Sequence, residues 1–396
     1  MVIRYETPKR WVNYDQSILR PLLTAKATIL ALTEMPYQRS WADDLQHLQL
    51  KREVAGTSRI EGAEFTEKEL DAALSLTPQQ LETRSQRQAA AAVAAYRWIS
   101  ALPKDRPLDE ALVLDVHRRL VEGCDDDHCP PGKLRERDDN VVFGAPQHRG
   151  VEGGPECQQA FQQLIEAART EFHDHDPLVQ ALALHYHLAA MHPFLDGNGR
   201  TARALEALML QHIGLRDTLF IAMSNYYYDE KTAYLQALNE SRAGGHDLTP
   251  FLRFALAGIE RQCRRLLDQI RTHVAKALYR NTVTDLFGRL ASARKRVMTE
   301  RHVRILNLLL NEGPLTARQF IELTSPIYKV RNPRKALARD FGYLFDLGAI
   351  SVSDLTDPGS AIISANLNWP MQISETEFLR LAKELPKVKV HGFLSS

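Results

Sequence analysis

The run His192-Pro193-Phe194-Leu195-Asp196-Gly197-Asn198-Gly199-Arg200-Thr201-Ala202-Arg203 collects residue types that can handle a polyphosphate. His192 is the one side chain in it able to take a proton near neutral pH. Asp196 offers a hard carboxylate oxygen suited to a Mg²⁺ that bridges phosphates. Gly197 and Gly199 flank Asn198, so the backbone amides can turn inward around an anion. A glycine loop that feeds a helix N-terminus is a ready phosphate site. Arg200 and Arg203 are three apart and share one helical face, which points to more than one phosphate. Cations at a helix start oppose the macrodipole, so stability alone does not account for them.

Such a loop works only if rigid elements hold it. Pro193 pushes His192 out of the helical region, which ends the preceding helix there. That helix, residues 178–191, is apolar on every face and is expected to be central and buried. The next helix is expected to begin near residues 199–201 and to run to Ile213.

Helix is expected nearly everywhere else in the first 290 residues. Apolar residues recur at three and four over 14–33 and 41–55. Thr66–Glu69 is a capping box ahead of a helix at Leu70–Leu74. Further helices are expected at 84–101, 108–121, 157–172, 231–240 and 249–290. Residues 123–155 are rich in Gly, Pro, Asp and Asn and contain the β-like run Asn140-Val141-Val142-Phe143-Gly144, which suggests a long loop holding a small hairpin.

The composition shifts at Arg294-Lys295-Arg296-Val297. Helices at 301–312, 316–323 and 333–347, followed by β-like runs at 349–353 and 362–366, form a winged-helix pattern, a helix-turn-helix variant. Between Arg294 and Leu347 there are 11 Lys or Arg and five acids, an excess of six. This excess is the footprint that nucleic-acid binding needs, with Arg334, Lys335 and Arg339 on the recognition helix. Dimerisation or target docking through the same domain stays open beside DNA.

Over the whole chain of 396 residues, 50 basic and 49 acidic side chains nearly cancel, so bulk charge selects no partner. With 44% apolar and 25% charged residues, disorder is excluded. No apolar run reaches the length needed to span a bilayer, and the N-terminus lacks a secretory h-region, so a cytoplasmic protein without membrane contact is expected. Cys124, His128 and Cys129 lack the second ligand pair of a structural zinc site. The histidines at 173, 175, 185 and 187 are spaced poorly for a metal.

At every defined position residues 192–203 resemble the Fic family signature. Two further segments fit the same family. Thr57-Ser58-Arg59-Ile60-Glu61-Gly62 is similar to its inhibitory motif on a leading helix, with Gly62 as the cap that presents Glu61. Pro131-Gly132-Lys133-Leu134-Arg135 through Gly144 is similar to its β-hairpin flap, which holds a target peptide by strand addition.

The resemblance implies a mostly α fold: a Fic-type helical bundle with a small β-hairpin flap, followed by a C-terminal winged helix-turn-helix domain. It divides the chain into an N-terminal helical region carrying the inhibitory motif (1–105), a catalytic core (106–290), the winged helix (294–370) and a tail (371–396).

The activity implied is transfer of AMP from ATP to a Tyr, Ser or Thr hydroxyl of a protein target, with Mg²⁺. His192 is the implied base and Asp196 the metal ligand. Gly197, Asn198, Gly199, Arg200, Thr201, Ala202 and Arg203 are the implied nucleotide-binding residues, Asn198 also fixing an α-phosphoryl oxygen. Glu61 is the implied inhibitor, paired with Arg203. Ser224-Asn225-Tyr226-Tyr227-Tyr228, with Tyr234, falls where relatives supply the adenine pocket, and Tyr226 is the first choice for base stacking. Transfer of another phosphate-containing group, removal of AMP, and a mainly DNA-binding regulator are the alternatives. A homodimer is compatible with each.

Overall fold

The computed structural model describes residues 3–35, 38–63, 70–71, 80, 83–124, 128–137, 139–144, 146–213, 221–290, 293–354 and 360–384. The chain divides into two compact units, Met1–Asp268 and Gln269–Ser396. That division falls inside the helix Thr249–Gly288, not at Arg294 where the composition changes.

In the first unit the central helix is Pro177–Met191, with every residue from Ala181 to Met191 buried. The Asp176 carboxylate accepts from the Leu178 amide, and Pro177 occupies the first helical position, where its missing N–H costs nothing. Against this helix packs Asn198–His212. Around the pair lie Glu110–Val121, Pro155–Arg169, Lys231–Ala243 and the first part of Thr249–Gly288.

The helix Arg39–Ile60 rests on the short helix Met223–Asp229. They meet at Gly56, where a Cβ would lie 2.4 Å from the Ser224 carbonyl, so only glycine permits this approach. Arg84–Ser100 follows, opened by a capping box in which Thr83 and Gln86 exchange side-chain to backbone bonds.

The expected hairpin is present as Val142–Phe143 and His148–Arg149. A two-residue N-terminal strand, Ile3–Arg4, pairs in parallel with the second of these, so His148–Arg149 is the middle strand of three. This strand and the helix Met223–Asp229 were not expected from the sequence; segments this short show no resolvable periodicity. The capping box at Thr66–Glu69 and most of the helix expected after it lie outside the described residues.

The second unit has its own core, built on Tyr279, Phe287, Leu306, Phe320, Phe341 and Leu344. Helices Ala293–Glu312, Ala317–Thr324 and Pro333–Asp346 are accompanied by three short antiparallel strands, one after the first helix and two after the third. Leu315–Thr316 and Ile350–Val352 both pair with Ile362–Ala365, which is therefore the middle strand. Residues 375–384, expected to be a tail, form a helix that buries Phe378 in this core. Among the described residues no helix is long and apolar enough to cross a membrane.

Candidate active site

The central helix ends at His192 in the left-handed region, with φ 51° and ψ 60°. This is strained backbone for a non-glycine residue, and it aims the imidazole away from the helix axis. His192 Nδ1 lies 2.6 Å from the Ala189 carbonyl oxygen. A carbonyl only accepts, so Nδ1 carries the proton and Nε2 keeps its lone pair. Burial pulls the His192 pKa down from 6.5 to about 4, outweighing the upward pull of the Ala189 bond. The ring is therefore neutral at pH 7, with a bare nitrogen able to accept a proton.

Two groups outside the signature hold this histidine. Arg135 donates from Nε to the His192 carbonyl oxygen at 2.7 Å, and its other nitrogens reach the carbonyls of Asp139 and Val151. One buried guanidinium thus ties His192 to both sides of the hairpin. On the hairpin, Phe143 stacks on His192 with ring centroids 3.6 Å apart and planes at 10°. The Arg242 guanidinium carbon lies 4.7 Å from the Phe143 ring centroid, so Phe143 contacts both His192 and a cation.

The loop after His192 is fixed internally. Asn198 Oδ1 accepts from the Phe194 amide at 2.9 Å, and its Nδ2 donates to the Phe194 carbonyl oxygen at 2.8 Å. Each polar atom of the side chain thus makes one bond in closing the loop. Nδ2 carries a second hydrogen, and Asn198 lines the cavity, so the expected contact with a phosphoryl oxygen is compatible with this role. Gly197 has φ 75°, and a Cβ there would meet Val121 Cγ1 at 2.7 Å.

His117 donates from Nε2 to the Asp196 carbonyl oxygen at 3.1 Å and accepts from the Gly132 amide at Nδ1. Burial lowers its pKa to about 4, which keeps that arrangement neutral. The Asp196 carboxylate remains 48% exposed, one oxygen accepting from the Gly197 amide and the other from Arg200.

Arg203 is buried and engaged by the end of the helix Arg39–Ile60. Its Nε donates to Thr57 Oγ1 at 2.9 Å and its Nη2 to Glu61 Oε1 at 2.6 Å. Burial opposes the charge on Arg203, but Glu61 and then Tyr234 more than offset it, so its pKa is pushed up. Gly62, with φ 87°, donates to the Arg59 carbonyl oxygen, and Ala63 donates to that of Ser58. These two bonds form a Schellman cap that turns Glu61 toward Arg203. A Cβ on Gly199 would lie 2.4 Å from Glu61 Oε1, so the carboxylate sits directly over the start of the helix Asn198–His212.

A cavity of about 310 Å³ brings together Glu61, His192, Asp196, Gly197, Asn198, Gly199 and Arg203. Arg200, Thr201 and Ala202 are buried behind it and do not line it. Tyr226 also lies outside the cavity, stacked on Phe254 and pressed against Gly258. The tyrosine that lines the cavity is Tyr234. With Lys231, Leu235, Leu238, Asn239 and Arg242 it forms one face of the helix Lys231–Ala243. Their spacing of three and four was visible in the sequence, but no chemistry in those residue types marked it as a site.

A Fic/DOC family model matches residues 107–210. Protein adenylyltransferase fic-1 of Caenorhabditis elegans is 27% identical over 184 residues, 45% of this chain and 33% of that protein. Protein adenylyltransferase Fic of Aedes aegypti is 38% identical over 152 residues, 38% of this chain and 27% of that protein. The chain thus spans a third or less of the length of these curated relatives. A Fic family protein from Desulfovibrio desulfuricans shares the fold at TM-score 0.57 and 17% identity, over 91% of this chain and 98% of that one. Fic-1 of C. elegans matches at TM-score 0.52 and 20% identity, over 64% and 74%. The segment that matches the Fic/DOC family, residues 107–210, contains both the His192 loop and Arg203.

Proposed function

We propose that the protein transfers AMP from ATP to a hydroxyl side chain of a protein target and releases pyrophosphate. The observation that carries this reading is the neutral His192, Nε2 unprotonated, beside a glycine loop that opens a helix. In this reading the amides of Gly197, Asn198 and Gly199 cradle the phosphates at the positive end of that helix. His192 Nε2 takes the proton from a Tyr, Ser or Thr hydroxyl. The oxygen bonds to the α-phosphorus while the bond to the pyrophosphate oxygen breaks, so the electron pair leaves with pyrophosphate. Positioning and charge stabilisation carry most of the catalysis.

Asp196 fits a Mg²⁺ ligand because its carboxylate is half-exposed at the cavity. Among the described residues no cluster of three or more His, Cys, Asp or Glu is placed to hold a metal. One carboxylate plus substrate phosphates is the usual Mg²⁺ arrangement. When bound, the ion would neutralise phosphate charge. The edge strand Val142–Phe143 supports target binding by strand addition, with Val142 exposed. Dependence on ATP suits a cytoplasmic setting.

Glu61 acts in this reading as an inhibitor. Arg203 binds the terminal phosphate of ATP once freed, and while Glu61 holds it the triphosphate settles with its α-phosphate misaligned. The 2.6 Å ion pair and the carboxylate over Gly199 support this. Incubation of Glu61→Gly with Mg-ATP tests both halves, since AMP transfer must appear and must exceed that of the wild type.

A second reading concerns the C-terminal unit, whose order of helices and strands suits a winged helix. Lys329, Arg331, Arg334, Lys335 and Arg339 are exposed, while Asp340, the acid on the same segment, is buried. Arg334 and Lys335 occupy the first turn of the helix Pro333–Asp346, against its macrodipole. This face fits duplex DNA, with self-association or docking of a target as the competing uses.

A further inference from the structure

Beside the cavity lies a line of buried groups that the proposed reaction leaves unused. Glu206 follows Arg203 by one turn of the same helix and is fully buried. Its carboxylate accepts from the Tyr227 hydroxyl at 2.9 and 3.0 Å and is bonded to His185 Nδ1. His185, also fully buried, lies with Nε2 2.9 Å from the Tyr234 hydroxyl. Tyr234 and Arg203 line the same cavity, and the guanidinium works against the rise that burial imposes on the Tyr234 pKa.

We propose that Glu206, His185 and Tyr234 form a buried hydrogen-bond line that holds the Arg203 guanidinium ready for the terminal phosphate of ATP. This rests on the nucleotide reading above and adds three positioning residues to it. The donor inventory fixes the direction of every bond. A carboxylate only accepts, so His185 donates from Nδ1. The neutral imidazole then has a bare Nε2, which accepts the Tyr234 proton. The Tyr234 oxygen is left with lone pairs alone, and Arg203 has only donors. An imidazolium at His185 would instead drive a proton at the Tyr234 oxygen and turn its hydroxyl proton toward a guanidinium that cannot accept it.

The line matters because the other groups that grip Arg203 belong to the inhibitory segment. Thr57 lies in the helix Arg39–Ile60 and Glu61 is its cap, so both leave together if that segment withdraws. Glu206 shares the helix of Arg203, and His185 sits on the central helix. Their hold on Arg203 persists without the inhibitor.

The test measures binding of Mg-ATP and of Mg-ADP, which lacks the terminal phosphate, by titration calorimetry on full-length Glu61→Gly and variants made in it. Loss of a hydrogen bond to a charged group corresponds to roughly a tenfold change in Kd. Tyr234→Phe should raise the Kd for ATP about tenfold and leave that for ADP within about twofold. Glu206→Gln should act in the same direction. Tyr227→Phe, which touches the carboxylate off the line, should change neither. Equal losses for ATP and ADP in Tyr234→Phe would make Tyr234 a general wall of the pocket and overturn the proposal, as would no loss. Failure of Glu61→Gly itself to bind either nucleotide would strike the nucleotide reading instead.

Discussion

Replacing Glu61 by glycine removes one carboxylate and leaves the helix Arg39–Ile60 docked. Thr57 still meets Arg203, Lys231 still caps the Ile60 carbonyl oxygen, and Glu53 still accepts from the Ser224 amide. The substitution therefore reads the ion pair rather than the helix. A hydrogen bond between charged groups contributes about 1.5–3 kcal/mol. Arg203 is 2% exposed but the Glu61 side chain is 36% exposed, so solvent screening favours the lower end, about 1.5 kcal/mol. That corresponds to roughly a tenfold gain in the population with Arg203 free. Realigning a phosphate displaced by about 1 Å adds up to roughly a hundredfold in the chemical step. The rate of AMP transfer, read as single-turnover label incorporation from α-labelled ATP, should rise by about tenfold from the population alone and by up to about a thousandfold where both factors multiply. Glu61→Gln, which keeps the size and loses the charge, should fall between wild type and Glu61→Gly. Equal rates in all three proteins, with ATP bound, would refute inhibition through this pair.

Burial holds the folded pKa of His192 near 4 against 6.5 for free imidazole, so the base stays unprotonated well into acid. The unfolded chain binds the extra proton between those values, so this residue lowers stability as pH falls from 6.5 toward 4. kcat/KM should be flat from about pH 5.5 to 8, and a decline centred near 6.5 would contradict the assignment. Gly197→Ala should cost about 1–2 kcal/mol through its left-handed φ, and should weaken ATP binding because Val121 blocks the Cβ; thermal melts and nucleotide titration check the two halves. Replacing Arg334, Lys335 and Arg339 by Ala in the full chain should flatten the dependence of duplex DNA affinity on salt. Absence of wild-type binding at low salt would favour self-association or docking.

The signature loop was legible because its chemistry is contiguous: Pro193, Gly197 and Gly199 dictate the backbone, and His192, Asp196 and Arg203 dictate the use. The partnership of Glu61 with Arg203 was legible only through the resemblance of residues 57–62 to the inhibitory motif, since the types and spacing of two residues 142 apart do not pair them. Tyr226 against Tyr234 was not. Both are buried aromatics on neighbouring helices, and it is the phase of the helix Lys231–Ala243 that brings Tyr234 to the cavity. Asn198 illustrates a different limit, because an amide beside a phosphate loop serves equally to bind the ligand or to close the loop. Here both polar atoms reach Phe194, and the second Nδ2 hydrogen is left for a ligand. The division near residue 268 was hidden because a continuous helical pattern does not reveal that Tyr279, Val283 and Phe287 pack in a different core.

The most direct test of the account is intact mass spectrometry after incubation with Mg-ATP, on Glu61→Gly and on the same protein with His192→Ala. Glu61→Gly should gain the mass of one or more adenylyl groups, and wild type should gain far less. The double variant should remain folded by circular dichroism, bind ATP and gain none, since no other group in the loop can take the hydroxyl proton. Adenylyl transfer by the His192→Ala protein at a rate near that of Glu61→Gly would contradict the assignment of the base and the mechanism built on it.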